Sequence, residues 1–173
     1  NPTAEYGCSC HNNGQISDRA VVMVTGVPIQ YATSEIYDFT IQVADSHTLA
    51  GDDGNTQAGF VITSGNVGTF TWQDDQELRI AEDSQGDVSH SETSDTGIWS
   101  LTWQAPAADE GDIHFWVAGN SVNGDGAPGD DAYWNLLSFP INAPGTIEND
   151  DTAATLETST VSVGADDALF LGE

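Results

Sequence analysis

The stretch "EIYDFTIQVAD", residues 35 to 45, decides the fold class. Tyr37, Phe39, Ile41 and Val43 recur at every second position, and Ile36, Asp38, Thr40 and Gln42 fill the places between. Successive side chains of a strand point to opposite faces, so this spacing predicts a half-buried β-strand. The same period returns twice. "GIWSLTWQAP" puts Trp99, Leu101 and Trp103 on one face, and "GDIHFWVAGN" sets Ile113, Phe115 and Val117 against His114 and Trp116. Further strand-like stretches fall at 20–25, 57–63, 68–73, 77–81, 132–139 and 155–163. Between them lie "AGDDGNTQ", "EDSQGD" and "NSVNGDGAPGDD", all built of turn residues. No stretch reads as a long amphipathic helix, and no internal repeat is visible. The expected fold is all-β, a Greek-key β-sandwich of immunoglobulin-like type.

Three parts are expected along the chain. Residues 1–18 form a polar segment carrying "CSCH", residues 19–144 form the sandwich, and residues 145–173 form an acidic linker and an extra strand. That last strand either closes its own sandwich, the default for sequential strands, or pairs with a neighbouring copy. The chain opens on Asn1-Pro2 with no basic or apolar leader, which reads as a mature N-terminus, with an anchor expected beyond "ADDALFLGE".

The 173 residues suffice for one domain with a real core. Their charge is extreme: 28 acidic residues face two basic ones, Arg19 and Arg79, for a net −26. Nucleic acid and anionic membranes are repelled, so both are excluded as partners. No apolar run is long enough to cross a bilayer, so no direct membrane insertion of this segment is expected. Self-repulsion of this size calls for high salt or bound divalent ions. A solvated acidic surface of a salt-adapted protein and a set of Ca²⁺ sites both meet that need.

From Cys8 to about Pro140 the chain resembles the choice-of-anchor V proteins, extracellular β-sandwich domains related to the Reeler domain. The resemblance rests on "CSCHN", "IYDFTIQV", "AGFVITSGNVGTF", "VSHSETSDTGIWSLTWQAP" and "GDIHFWVAGNSVNGDGAPGDDAYW", in that order. It implies a Reeler-like sandwich and an extracellular or cell-surface location. It also implies an opening Cys-x-x-Cys-His motif, the form of a c-type haem attachment site. Here Cys8-Ser9-Cys10-His11 has one spacer instead of two.

Four readings of that motif stay open. Cys8 and Cys10 form a small disulfide ring, strained and reducible. They bind Zn²⁺ or Cu with His11, lacking a fourth ligand. They remain thiols or pair between chains. Or, as the resemblance implies, both attach haem c with His11 as the proximal iron ligand. A second axial ligand is then expected from His90, with His114 next and His47 reading as a loop residue. Two His ligands leave iron no open position, so such a haem moves electrons.

Asn120, Asn123, Asp125, Asp130 and Asp131 form a candidate Ca²⁺ loop, without EF-hand spacing; Asp52 and Asp53 form a weaker one. Turn chemistry explains the same residues without a metal. No Gly-x-Ser-x-Gly elbow appears, and the paired acids lack an apolar setting, so no enzyme is expected. The main expectation is an extracellular electron-transfer protein, a c-type cytochrome on a β-sandwich. Its partners would be further copies in a surface filament (a homo-polymer) or other cell-surface redox proteins. The alternative is a haem-free, cation-stabilised structural or adhesive cell-surface domain. A carbohydrate- or protein-binding module using exposed Trp is a third.

Overall fold

The computed structural model describes residues 16–81, 84–124 and 133–145. Period-2 segments become strands wherever their apolar face finds a partner. Among the described residues these are β1 (Ala20–Thr25), β2 (Ile36–Asp45), β3 (Gln57–Thr63), β4 (Thr69–Thr71), β5 (Leu78–Ile80), β6 (Val88–His90), β7 (Ile98–Gln104), β8 (Ile113–Val122) and β9 (Tyr133–Ile141). A short helix α1 (Ser46–Ala50) follows β2, and a 3-10 turn spans Asp74–Gln76.

The strands form two antiparallel sheets, ordered β1-β2-β7-β4 and β5-β6-β3-β8-β9. The chain switches sheets five times, between β2 and β3, β3 and β4, β4 and β5, β6 and β7, and β7 and β8. β2 thus pairs with β7 in one layer while β3 pairs with β8 in the other. This crossed connectivity is that of an all-β sandwich, as the alternation predicted.

The predicted faces are the observed ones. Phe39, Ile41, Val43, Trp99, Leu101, Trp103, Ile113, Phe115 and Val117 are all buried. Trp103 organises the core. Its ring meets Phe115 edge-on at 5.1 Å and Tyr31 edge-on at 6.1 Å, and stacks with Tyr37 at 6.0 Å. Edge-to-face and offset contacts of this kind suit the ring quadrupoles. The indole N–H donates to the Val67 carbonyl at 3.1 Å, so the buried polar atom is satisfied. The adjacent Gly68 has φ +75°, and a Cβ there would lie 2.4 Å from that indole nitrogen. Only glycine meets both demands.

Three expectations change. Val88–His90, outside the stretches expected as strands, forms β6, too short for a period to show. His47 lies in α1 instead of a loop, because Asp45 caps that helix by accepting from the His47 N–H at 2.9 Å. The strands expected at 68–73 and 77–81 shrink to three residues each. The segments holding Cys8, Cys10 and His11, and the expected strand 155–163, lie outside the described residues.

Candidate functional site

The five-stranded sheet has a core face and an outer face. On β8 the side chains of Ile113, Phe115 and Val117 enter the core. Ser121 points the same way, its hydroxyl donating to Asp45 at 3.1 Å. His114, Trp116, Ala118 and Asn120 therefore face outward. The register places Gly59 of β3 and Trp134 of β9 on either side of Asn120. A Cβ on Gly59 would sit 2.4 Å from the His90 imidazole, so that ring lies over the glycine. His90, Gly59, Asn120 and Trp134 thus make one row across the outer face.

Two atoms in this row, Asn120 Oδ1 and Trp134 Nε1, are buried without a hydrogen-bond partner among the described residues. Each such omission costs about 1–3 kcal/mol. The chain joins the sheet beside the same row: Ile16 bridges Trp134, and the Ser17 N–H donates to the Trp134 carbonyl at 2.8 Å.

His90 closes a gap in the ladder. Ala58 exchanges both backbone bonds with Ser94, so the backbone of Phe60, two residues on, also points away from β8. The Phe60 N–H donates to His90 Nδ1 at 2.9 Å, and the Ser89 hydroxyl donates to the Phe60 carbonyl at 3.1 Å. Nδ1 also lies 2.9 Å from that carbonyl. Donating to it would leave the amide N–H without its acceptor. Backbone satisfaction therefore assigns Nδ1 as acceptor and puts the ring proton on Nε2.

Burial pushes the His90 imidazole below its ordinary pKa of 6.5 and the Arg79 charge adds to that, while the Phe60 carbonyl, which the protonated ring can donate to, and the Glu92 charge oppose it. A histidine with a depressed folded pKa contributes stability that is present above its unfolded value. That stability is lost as pH falls through the folded value. Unfolding midpoints are therefore expected to drop as pH is lowered below about 6.5, and His90→Phe should remove this component. Identical pH profiles for both proteins would contradict the assignment.

The other sequence candidates separate. His114 is exposed, with its ring 4.5 Å from Trp116 on the outer face. It is five residues along β8 from Gly119, which pairs with Phe60 beside His90. At about 3.3 Å per residue and 4.8 Å per strand, His90 and His114 are on the order of 20 Å apart. One iron cannot take both. His47 lies in α1, and Asp52 and Asp53 are exposed in the loop after Gly51. Asn123 directly follows β8, while Asp125, Asp130 and Asp131 lie outside the described residues. Among the described residues no group of three or more His, Cys, Asp or Glu side chains converges on a point. No helix there is long and apolar enough to cross a membrane.

Sequence reasoning missed Asp45, which is 2% exposed. Its carboxylate accepts from the Arg19 Nε at 3.0 Å, the Ser121 hydroxyl at 3.1 Å and the His47 N–H at 2.9 Å. Burial would raise its pKa, but these bonds, a further one from the Asn55 backbone and the Arg19 charge together hold it below its ordinary value. Arg19 also stacks over the Tyr133 ring at 4.3 Å. This clasp ties the start of β1, the α1 loop, β8 and β9 at one end of the sandwich. A sequence signal existed: Arg19 is one of only two cations in the chain.

Neither a protein-family model nor a curated protein matches this sequence. Solved structures with a similar backbone include the Reelin-N domain of F-spondin, at 16% identity and TM-score 0.48, covering 74% of this chain and 88% of that one. The human F-spondin reeler domain follows at 15% and 0.47, covering 74% and 89%. A conjugative transposon lipoprotein from Bacteroides eggerthii gives 17% and 0.45, covering 73% and 99%. At these values the likeness says nothing about function.

Proposed function

We propose that this chain is an extracellular structural or adhesive domain of a cell surface, carrying no haem and held folded by external cations. The placement of its two arginines carries the reading. Arg19 is bonded to the buried Asp45, and the Arg79 Nε donates to the His90 carbonyl at 3.2 Å. Both cations are engaged with the chain's own interior carboxylate or backbone, so ions from solvent must balance the net −26. The extracellular assignment rests on the motif runs that resemble the choice-of-anchor V domains. Ca²⁺ held by Asn123, Asp125, Asp130 and Asp131, in the stretch of sequence between β8 and β9, belongs to this reading, since a set of oxygen donors suits that ion. No catalytic role is assigned, because the buried Asp45 carboxylate is occupied by its structural bonds.

The electron-transfer reading is the competitor, and one observation favours it. The chain joins the sheet at Ile16, beside the outer row that carries His90. His11, five residues earlier, reaches at most about 17 Å from there. Against it, His90 could take iron at Nε2 only in the tautomer whose Nδ1–H donates to the Phe60 carbonyl at 2.9 Å, which costs the Phe60 N–H its acceptor.

An absorption spectrum of the purified protein, with its mass under denaturing conditions, separates the two. The expected result is no Soret band and the plain chain mass, or that mass less two hydrogens if Cys8 and Cys10 are oxidised. A Soret band with one haem of added mass would overturn the proposal and install haem c, with further copies or other surface redox proteins as partners.

A further inference from the structure

The four-stranded sheet turns one face to the core and the other to solvent. Phe39 and Ile41 of β2, and Trp99, Leu101 and Trp103 of β7, enter the core, so the alternate positions of these strands face outward. That outer face is open, with Ile36 58% and Ile98 48% exposed. In a chain of 28 acidic residues, the outward positions of the four strands carry one charged side chain among the described residues, Asp38. The face carries hydroxyls instead, in register. Thr25 pairs with Thr40 and Thr40 with Ser100, across β1, β2 and β7. Asp38 pairs with Thr102 and Thr102 with Thr71, across β2, β7 and β4. Neighbours within each row are about 4.8 Å apart, the strand spacing.

The rows end in a groove. β4 stops at Thr71, and the chain leaves the sheet through Trp72 and Gln73 into the 3-10 turn. Gln76 of that turn accepts from the Ser100 N–H at 2.7 Å, which pins the turn beside β7 where β4 has ended. Between them lies a concave space of about 350 Å³, lined by Asp38, Thr40, Ser100, Thr102, Trp72 and Gln73. Small-ligand sites begin at about this size. Trp72 packs against the core and keeps part of its surface uncovered. The Thr102 hydroxyl pairs with that of Thr71. The Asp38 carboxylate, the Thr40 and Ser100 hydroxyls and the Gln73 amide have no hydrogen-bond partner among the described residues.

An indole beside unpaired hydroxyls, an amide and a carboxylate suits a ligand that is polar at its edges and apolar on its faces. A sugar ring is such a ligand. Its hydroxyls both donate and accept, as the Thr40, Ser100 and Gln73 side chains do, and its C–H faces are apolar. Charge narrows the class. Asp38 in the groove, with Asp74 and Asp75 in the adjoining turn, repels uronic and sulfated sugars. A cationic ligand gains nothing here that the chain's many other acids do not offer, so the groove does not select one. A neutral saccharide matches both the donors and the charge.

We infer that this groove is a binding site for neutral oligosaccharides, the partner that the adhesive reading lacks; it rests on that reading for its setting alone. Amide NMR of the full chain in molar NaCl tests this, with maltohexaose, cellohexaose, mannohexaose and xylohexaose as neutral probes and a galacturonate hexamer as the anionic one. At least one neutral probe should shift the Thr40, Ser100 and Thr102 amides saturably, and the galacturonate should not. Ser100→Trp fills the groove while keeping the backbone bond to Gln76, and should abolish the shifts of Thr40 and Thr102. Asp38→Ala should weaken binding about tenfold or more, as loss of a hydrogen bond to a charged group does. Both positions are exposed, so both variants should melt with the parent chain. No shift with any neutral probe, or shifts that survive Ser100→Trp, would overturn the inference. Equal binding of the galacturonate would overturn it too. Shifts of the same amides on raising protein concentration alone, with larger species in light scattering, would do the same, since a second copy would then occupy the face. None of these results alters the cation dependence of folding or the absorption spectrum, so failure here is distinct from failure of the surface-domain reading.

Discussion

Asp45→Ala is expected to lower the unfolding free energy by about 3–5 kcal/mol, the usual cost of removing one partner from a buried ion pair. Arg19 loses its counter-charge, and the Ser121 hydroxyl and the His47 N–H each lose an acceptor. Total stabilities of domains run about 5–15 kcal/mol, so the variant should sit near the edge of folding. Asp45→Asn keeps an acceptor but not the charge and should fall between. The effect should persist in molar salt, because a buried pair is screened far less than surface charges are. The pH dependence has a definite sign. The folded pKa of Asp45 lies below its ordinary 3.8, so its contribution is present above that value and is lost as pH falls through the folded one. Urea midpoints for the three proteins at neutral pH give the comparison. Equal midpoints would mean that the clasp contributes nothing to stability.

The parts of the fold visible in the sequence are those where a long alternating run meets a core. β2, β7 and β8 announce themselves through Phe39, Trp103 and Phe115, because a period of two maintained over seven or more residues has no competing explanation. β6 stays hidden: three residues cannot show a period, and His90 enters the ladder with its side chain in place of its backbone. α1 stays hidden because its stability comes from a cap, Asp45, whose partners Arg19 and Ser121 are far away in sequence. The outer row is illegible for a related reason. His90 and Trp134 are 44 positions apart, and only strand register brings Gly59 and Asn120 between them. The motif Cys8-Ser9-Cys10-His11 is the reverse case, conspicuous as a string while what it does depends on its surroundings.

The dependence of folding on cations tests the central claim most directly. A net charge of −26 with both arginines engaged internally leaves the exposed carboxylates to repel one another. At about 0.01 M salt that repulsion acts over roughly 30 Å, the width of a small domain; at about 1 M it is cut to roughly 3 Å. That repulsion opposes a folding stability of only about 5–15 kcal/mol. Unfolding curves followed by circular dichroism and Trp fluorescence should therefore show a chain largely unfolded at low ionic strength and cooperatively folded in molar NaCl. Millimolar CaCl₂ should replace much of that salt if the stretch between β8 and β9 binds the ion. A chain that is equally stable at low and high ionic strength, and indifferent to calcium, would contradict a cation-held surface domain.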